Sequence, residues 1–246
     1  HSVITEKTGI PEEKVDQYLR EMNEKSILKG PSIVVKPAGN YHQYASFLEF
    51  EDPFTTLQTL EGSILYINMS CGDWNLLIIT DENRDFSTIP GFRECILQGV
   101  KSATSASRVL FLDWEEAIKK IEREISPPDK KTNLYEEIPL NLWGKQEWEF
   151  YHACKHNAWN FSISHEKYRE WISTLEKFAH IYPAFYPGGL RNSHVFDLLF
   201  HSDYHSQLKD LLGLLPSTSF FFSVSDYIFA RLSFLNKEEQ DDVLSL

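Results

Sequence analysis

The chain has 246 residues, ordinary apolar content and a net charge of −12, so it holds either one large domain or two to four small ones with real cores. No apolar run approaches the ~20 residues of a membrane helix, and the N-terminus lacks a charged-then-apolar signal pattern. Cys71, Cys95 and Cys154 are odd in number and scattered, which argues against a disulfide framework and for a reducing, cytoplasmic setting.

Val3–Thr8 reads as a helix fragment. Gly9-Ile10-Pro11 is a sharp turn with Pro at the start of the next helix. Glu12 and Glu13 suit that helix's dipole, and Val15, Tyr18, Leu19 and Met22 recur at helical spacing as its buried face. Ser26-Ile27-Leu28 and Ile33-Val34-Val35 flank Gly30-Pro31, which predicts a two-stranded wing. Residues 1–39 thus read as a winged helix-turn-helix without its opening helix. The chain starts at His1 rather than Met, so a cropped start or a tag remnant is expected.

Tyr44–Phe50 alternates like a half-buried strand, and Pro53–Leu60 follows as a short helix. Ile64–Ser70 and Asn75–Thr80 read as strands around Cys71-Gly72-Asp73-Trp74, where Gly and Asp suit a hairpin turn. Ile89–Val100 predicts a second helix and Arg108–Leu112 a final strand. The order βαββαβ is the ferredoxin-like pattern, here spanning residues 40–125 with a charged helix at Trp114–Ile125.

Residues 126–142, with three prolines and many charges, read as a linker. Lys145–His156 then opens a second winged unit over 143–189. Asn157–Ile163 forms its turn, Ser164 caps the recognition helix, and Glu166 sits near its start. Tyr168, Trp171, Ile172 and Leu175 supply the apolar face of that helix. A second α/β module over 190–246 has three strands and a closing helix at Lys237–Leu246 but no fourth strand. It predicts a cropped chain or a neighbour that completes the sheet.

The order of elements therefore repeats. Residues 10–39 and 163–189 both run from an Ile through an amphipathic helix into an extended stretch closing on Pro and Gly. Phe47–Thr80 and Val195–Phe234 both give a strand, a short helix (after Asp52 and Asp203) and two more strands, with Asp73-Trp74 where Asp226-Tyr227 falls. The expected fold is α+β: two winged helix-turn-helix units alternating with two ferredoxin-like modules in tandem.

This pattern resembles the Lrp/AsnC (feast/famine) family of transcriptional regulators, and SCGDWNLLIIT is similar to that family's effector-module signature. The second copy departs from it, with Ser225 in place of Gly72 and Ile228 in place of Asn75. The resemblance implies α/β modules paired sheet against sheet, with an effector cleft built from the turns between the second and third strands of the modules and from adjacent helices. A small molecule, usually an amino acid, would bind there and change the spacing of the winged units on double-stranded DNA. Most family members carry one unit per chain and dimerise through the α/β modules, so a tandem chain resembles such a dimer fused into one polypeptide, and a homodimer or an intramolecular pseudo-dimer is expected. No cofactor and no membrane partner are implied.

On this reading the effector residues are Gly72, Asp73, Asn75 and Asp226. The Asp73 carboxylate would accept an amine, or it would tie down its own turn backbone; for Asp226 the turn role is favoured. The DNA-facing residues are Lys14, Gln17 and Arg20 on the first helix, Lys25, Lys29 and Lys36 near the wing, and His165, Lys167 and Arg169 on the second helix. The bland alternative is a solvated helix face. Glu12, Glu13, Asp16, Glu21 and Glu24 crowd the first helix and repel phosphate.

The charge distribution sharpens that objection. Residues 40–142 hold nine basic against seventeen acidic side chains and residues 190–246 four against eight, while 1–39 and 143–189 each balance to zero. Neither helical segment is basic, as strong DNA binding requires. His152 with His156, and His201 with His205, have metal-pair spacing but no placed third ligand, so surface or capping roles are favoured. Tyr151, Trp159, Phe161, Trp171, Phe178, Tyr182, Phe185 and Tyr186 read as core or as a protein–protein contact.

No catalytic constellation emerges, so the expectation is no enzyme, no catalytic residue and no metal. The leading expectation is a ligand-responsive DNA-binding regulator. The alternatives are a non-DNA-binding sensor or interaction protein and, on architecture alone, an enzyme like the sirohaem decarboxylases among the family's relatives.

Overall fold

Strand pairing across long sequence separations, more than local periodicity, decides how this chain is organised. The computed structural model describes residues 2–107, 109, 113–125, 131–155 and 165–245. The first part contains α1 (Ser2–Thr8), α2 (Glu12–Glu24), β1 (Leu28–Val35), β2 (Gln43–Phe50), α3 (Pro53–Thr59), β3 (Ile64–Met69), β4 (Leu76–Thr80), β5 (Phe92–Lys101), β6 (Ser105–Ala106) and α4 (Trp114–Glu124). The second contains α5 (Lys145–Lys155), α6 (His165–Phe178), β7 (Ala179–Phe185), β8 (His194–His201), α7 (His205–Leu212), β9 (Phe220–Val224), β10 (Tyr227–Phe234) and α8 (Lys237–Leu244). The described residues thus form a mixed α/β fold of eight α-helices and ten strands in antiparallel sheets.

The large sheet runs β3-β4-β2-β5-β9-β10-β8, with β6 also paired to β9. The triplet β3-β4-β2 is repeated in kind by β9-β10-β8: in each, the first strand of the half pairs with its third, and the third with its second. Alternation along the strands separates two faces. Leu48, Phe50, Leu76 and Ile78 face outward and pack with Leu57 and Leu60 around α3. Ala230, Leu232, Phe234 and Phe221 face outward under Ile121 of α4, Leu211 and Leu212 of α7 and Val243 of α8. The opposite faces of both halves meet in one inner cluster containing Phe47, Leu77, Phe222 and Phe229. The sheet therefore curls until its end strands meet: Asn68 Nδ2 on β3 donates to Asp197 Oδ2 on β8 at 3.0 Å.

Asp52 caps α3 by accepting from the backbone N–H groups of Phe54 and Thr55 at 3.0 and 3.2 Å. Asp203 has no such role at α7. There the Thr132 hydroxyl accepts from Ser206 N–H at 3.0 Å, while Asp203 pairs with Lys131.

Several expectations are corrected. The segment Ile89–Val100 is strand β5 rather than a helix over most of its length. It pairs with β2 from Gln43↔Lys101 to Phe50↔Phe92, and that ladder overrides a mixed local pattern. The predicted wing does not fold back on itself. Gly30, at φ +95°, helps place a register irregularity within β1 instead of a turn, and β1 pairs with β7 from Leu28↔Phe185 to Val35↔Ala179. Each helical segment thus contributes one strand to a shared two-stranded ladder. The sheet edge at β9 is filled from within the chain, by Lys101↔Val224, Ser105↔Phe221 and Ala106↔Phe220. The predicted strand Arg108–Leu112, the Asn157–Ile163 turn, the Ser164 cap, His156, Trp159 and Phe161 lie wholly or largely outside the described residues.

Of the segment read as a linker, residues 131–142 are tied to the body. Ile138 N–H donates to the Pro37 carbonyl at 2.9 Å, and Leu142 N–H donates to Asn40 Oδ1 at 2.6 Å. Leu142 and Trp143 are buried with Val35, Phe150, Trp171 and Leu175 in the core beneath α5 and α6. Tyr168, Tyr151 and Phe178 pack against that core, so these rings of the second helical segment are core rather than docking surface. Among the described residues no helix is long and apolar enough to cross a membrane.

Candidate functional site

Pairing places Gln43, Ala45 and Phe47 of β2 opposite Lys101, Gly99 and Leu97 of β5, all on the inner face. Across the curl, Val195, Asp197 and Leu199 of β8 stand opposite Ser233, Arg231 and Phe229 of β10. The space between these faces is a cavity of about 1210 Å³. Ser32–Val35 of β1 and Tyr182 of β7 line it on the side of the small ladder, and the β3–β4 turn lines it at Ser70–Trp74.

Two cationic side chains, Lys101 and Arg231, mark the interior. Lys101 is only 1% exposed. Its Nζ donates to the Ser102 carbonyl at 2.8 Å and to Gln43 Oε1 at 3.3 Å, and lies 4.9 Å from the Phe222 ring centroid. All three partners are neutral. Burial disfavours the ammonium and pushes its pKa down to about 7. Arg231 makes a bidentate pair with its cross-strand neighbour Asp197, Nε–Oδ1 and Nη2–Oδ2 both at 2.7 Å. Nη1 also donates to the Tyr66 hydroxyl on β3. Together with Asn68, this network bridges β3, β8 and β10 where the sheet closes.

The β3–β4 turn is six residues long, from Ser70 to Asn75, and Ser70 spans it through Oγ to the Trp74 carbonyl at 3.0 Å. Trp74 tucks inward against Phe47, with ring centroids 5.2 Å apart. Gly72 and Asp73 are exposed and line the cavity. Asn75 is not among the lining residues. Its side chain accepts from Phe50 N–H at 3.0 Å and donates to the Phe50 carbonyl at 2.7 Å, extending the β2–β4 ladder by one pair. Asn75→Ala is expected to leave both Phe50 groups without that partner and to cost about 2 kcal/mol, measured by urea unfolding; an unchanged midpoint would contradict this clamp.

Asp226 also lies apart from the cavity. The β9–β10 connection is a two-residue turn, Ser225-Asp226, between the register partners Val224 and Tyr227. Ser225 adopts φ 52°, a conformation glycine adopts more readily. The Asp226 carbonyl lies 3.3 Å from His205 Nε2 and accepts from Ser202 N–H at 3.2 Å. The first turn thus reaches the cavity and the shorter second turn does not.

Lys14, Gln17, Arg20, Lys25, Lys29, Lys167 and Arg169 are all exposed, and the His165 side chain lies outside the described residues. Gln17 donates to Glu21 at 2.8 Å and Arg20 to the Asp16 carbonyl at 3.4 Å, both along α2. Lys36 instead closes the end of α6 by donating to the Glu176 carbonyl at 2.9 Å. Among the described residues no group of three or more His, Cys, Asp or Glu is placed to hold a metal.

Sequence reading missed Lys101, Asp197 and Arg231. A signal existed for the last two: single charges of opposite sign, each within a mostly apolar stretch, VFDLLF and IFARLSF. Lys101 was hidden because β5 reads as a helix. In comparison with protein-family models, curated proteins and solved structures, the chain matches none.

Proposed function

We propose that this chain is a ligand-responsive DNA-binding regulator of the Lrp/AsnC kind, with two reader-plus-sensor units joined in one polypeptide. The observation that carries the reading is the repeated order of elements. A helix enters a strand (α2 into β1, α6 into β7), and a strand–helix–strand–strand unit follows with the same internal pairing. The β2–α3–β3–β4 unit with β5 has the strand order of a ferredoxin-like module, with the second helix of that pattern absent between β4 and β5. The β1–β7 ladder supports an intramolecular pseudo-dimer, because each half supplies one of its strands.

In this reading the effector, an amino acid or a related metabolite, binds the α/β modules at the cavity whose mouth carries Gly72 and Asp73. The ladder that lines the cavity also leads directly from α2 and α6, so occupancy biases the separation of those helices. DNA contact falls to Lys14, Gln17, Arg20, Lys25 and Lys29 on one side and to Lys167 and Arg169 on the other.

A sensor or interaction protein that does not bind DNA is the second reading. The acidic residues Glu12, Glu13 and Glu24, exposed on the same helix as Lys14, favour it. Fluorescence anisotropy with a random-sequence duplex separates the two. The regulator reading expects binding at 50 mM salt that weakens about 100-fold by 200 mM, for about four phosphate contacts. It also expects loss of affinity in the Lys14→Ala/Arg20→Ala variant. No measurable binding at low salt selects the second reading, and unchanged affinity in the variant removes α2 from the groove.

A further inference from the structure

We infer that the cavity inside the curled sheet binds a small molecule carrying one carboxylate on a large apolar or aromatic body, with the carboxylate meeting Lys101. This rests on the effector reading above and names the effector's chemical class.

Charge is the first argument. Lys101 is buried against two neutral acceptors and a ring, and no described carboxylate forms an ion pair with it. The other interior cation, Arg231, is matched by Asp197 in a bidentate pair. Among the described residues of the interior, Lys101 is therefore a cationic group without a carboxylate partner, while Asp73 lines the cavity from an exposed position. A buried ammonium without a counter-ion is costly to the folded protein, and an anionic ligand offsets that cost on binding.

Size and lining are the second argument. At about 1210 Å³ the space exceeds what a single amino acid fills and lies above the roughly 300–1,000 Å³ of small-molecule sites, so it leaves room for a large ligand body. Trp74, Phe222, Tyr182 and Tyr186 are among its lining, so the walls offer rings for an aromatic body to pack against. The cavity is lined by β1 and β7, which places the ligand body against the ladder that leads from the two helical segments.

The test is calorimetric titration of the full chain, without DNA, using three probes of nearly one shape: 2-naphthoate, 2-naphthalenemethanol and 2-naphthylmethylammonium. The acid is expected to bind at least about ten-fold tighter than the alcohol, and the ammonium more weakly than either. Lys101→Met is expected to lose about ten-fold or more in affinity for the acid and no more than about three-fold for the alcohol, so the acid-to-alcohol preference collapses while retained alcohol binding reports an intact cavity. Absence of naphthoate binding, equal binding of acid and alcohol by the wild type, or unchanged acid affinity in K101M would overturn the inference. If K101M loses both probes, the wild-type comparison of acid with alcohol decides. Anisotropy with duplex DNA alone runs in parallel, so failure to bind DNA removes the regulator reading and failure to bind naphthoate removes the ligand class.

Discussion

Lys101→Met is expected to make the protein more stable, by about 1–3 kcal/mol at pH 7, measured by urea unfolding. The wild-type ammonium is held among neutral groups, and its pKa falls from 10.5 to about 7. Each pKa unit corresponds to about 1.4 kcal/mol, so the buried charge costs at most about 5 kcal/mol. Removing Nζ also loses its hydrogen bonds to Gln43 and Ser102, worth about 1 kcal/mol each, which lowers the net gain. Met preserves most of the volume and packs well against Phe222.

The pH dependence separates this cause from simple repacking. The folded-state pKa of Lys101 lies below the unfolded one, so between about pH 7 and 10.5 the unfolded chain binds more protons. Wild-type stability therefore gains a contribution that rises with pH across that window, while below about 7 the full cost stands. The advantage of K101M should shrink as pH climbs toward 10. A variant less stable than wild type at pH 7, or an advantage that grows with pH, would refute the assignment of Lys101 as an uncompensated buried cation.

Arg231→Met is expected to act in the opposite direction, with a loss of about 2–4 kcal/mol. Its side chain is 18% exposed and that of Asp197 8%, so the substitution strands a carboxylate in a nearly water-free position. Asp197 would keep the Asn68 amide as a hydrogen-bond donor but no cation, and the Tyr66 hydroxyl would lose its contact across the closure. The double variant Arg231→Met/Asp197→Leu removes both charges and is expected to recover most of the loss, because an apolar pair replaces a desolvated ionic one. Urea unfolding of the three proteins forms the relevant cycle. A double variant as unstable as Arg231→Met would show that packing, rather than the unpaired carboxylate, sets the cost.

The parts of this fold that sequence exposes are those in which one period governs one element. Val15 of α2 and Trp171 and Leu175 of α6 are buried where helical spacing places them, whereas Tyr18 and Ile172, on the same predicted faces, are exposed. The β3–β4 turn is legible because Gly72-Asp73 interrupts two apolar runs, and it does line the cavity. Sequence fails where the partner is distant. β1 finds its ladder about 150 residues away in β7, and Gly30-Pro31 imitates the turn of a local wing. β5 carries Leu97, Gly99 and Lys101 at alternate positions on the inner face, but Cys95, Ile96 and Val100 blur the alternation until β2 is seen beside it. The β9–β10 turn shares the Asp of its counterpart, yet its two residues cannot extend as far as six.

The seam between β3 and β8 has a consequence for solubility. A sheet with bare ends invites a strand from another molecule to dock there, and such templated growth is a route to fibres. Here Tyr66 and Asn68 of terminal β3 bind Arg231 of β10 and Asp197 of terminal β8, so an intruder must first part those side chains. Arg231→Met, which loses the guanidinium at this seam, is therefore also expected to precipitate sooner on storage than the wild type.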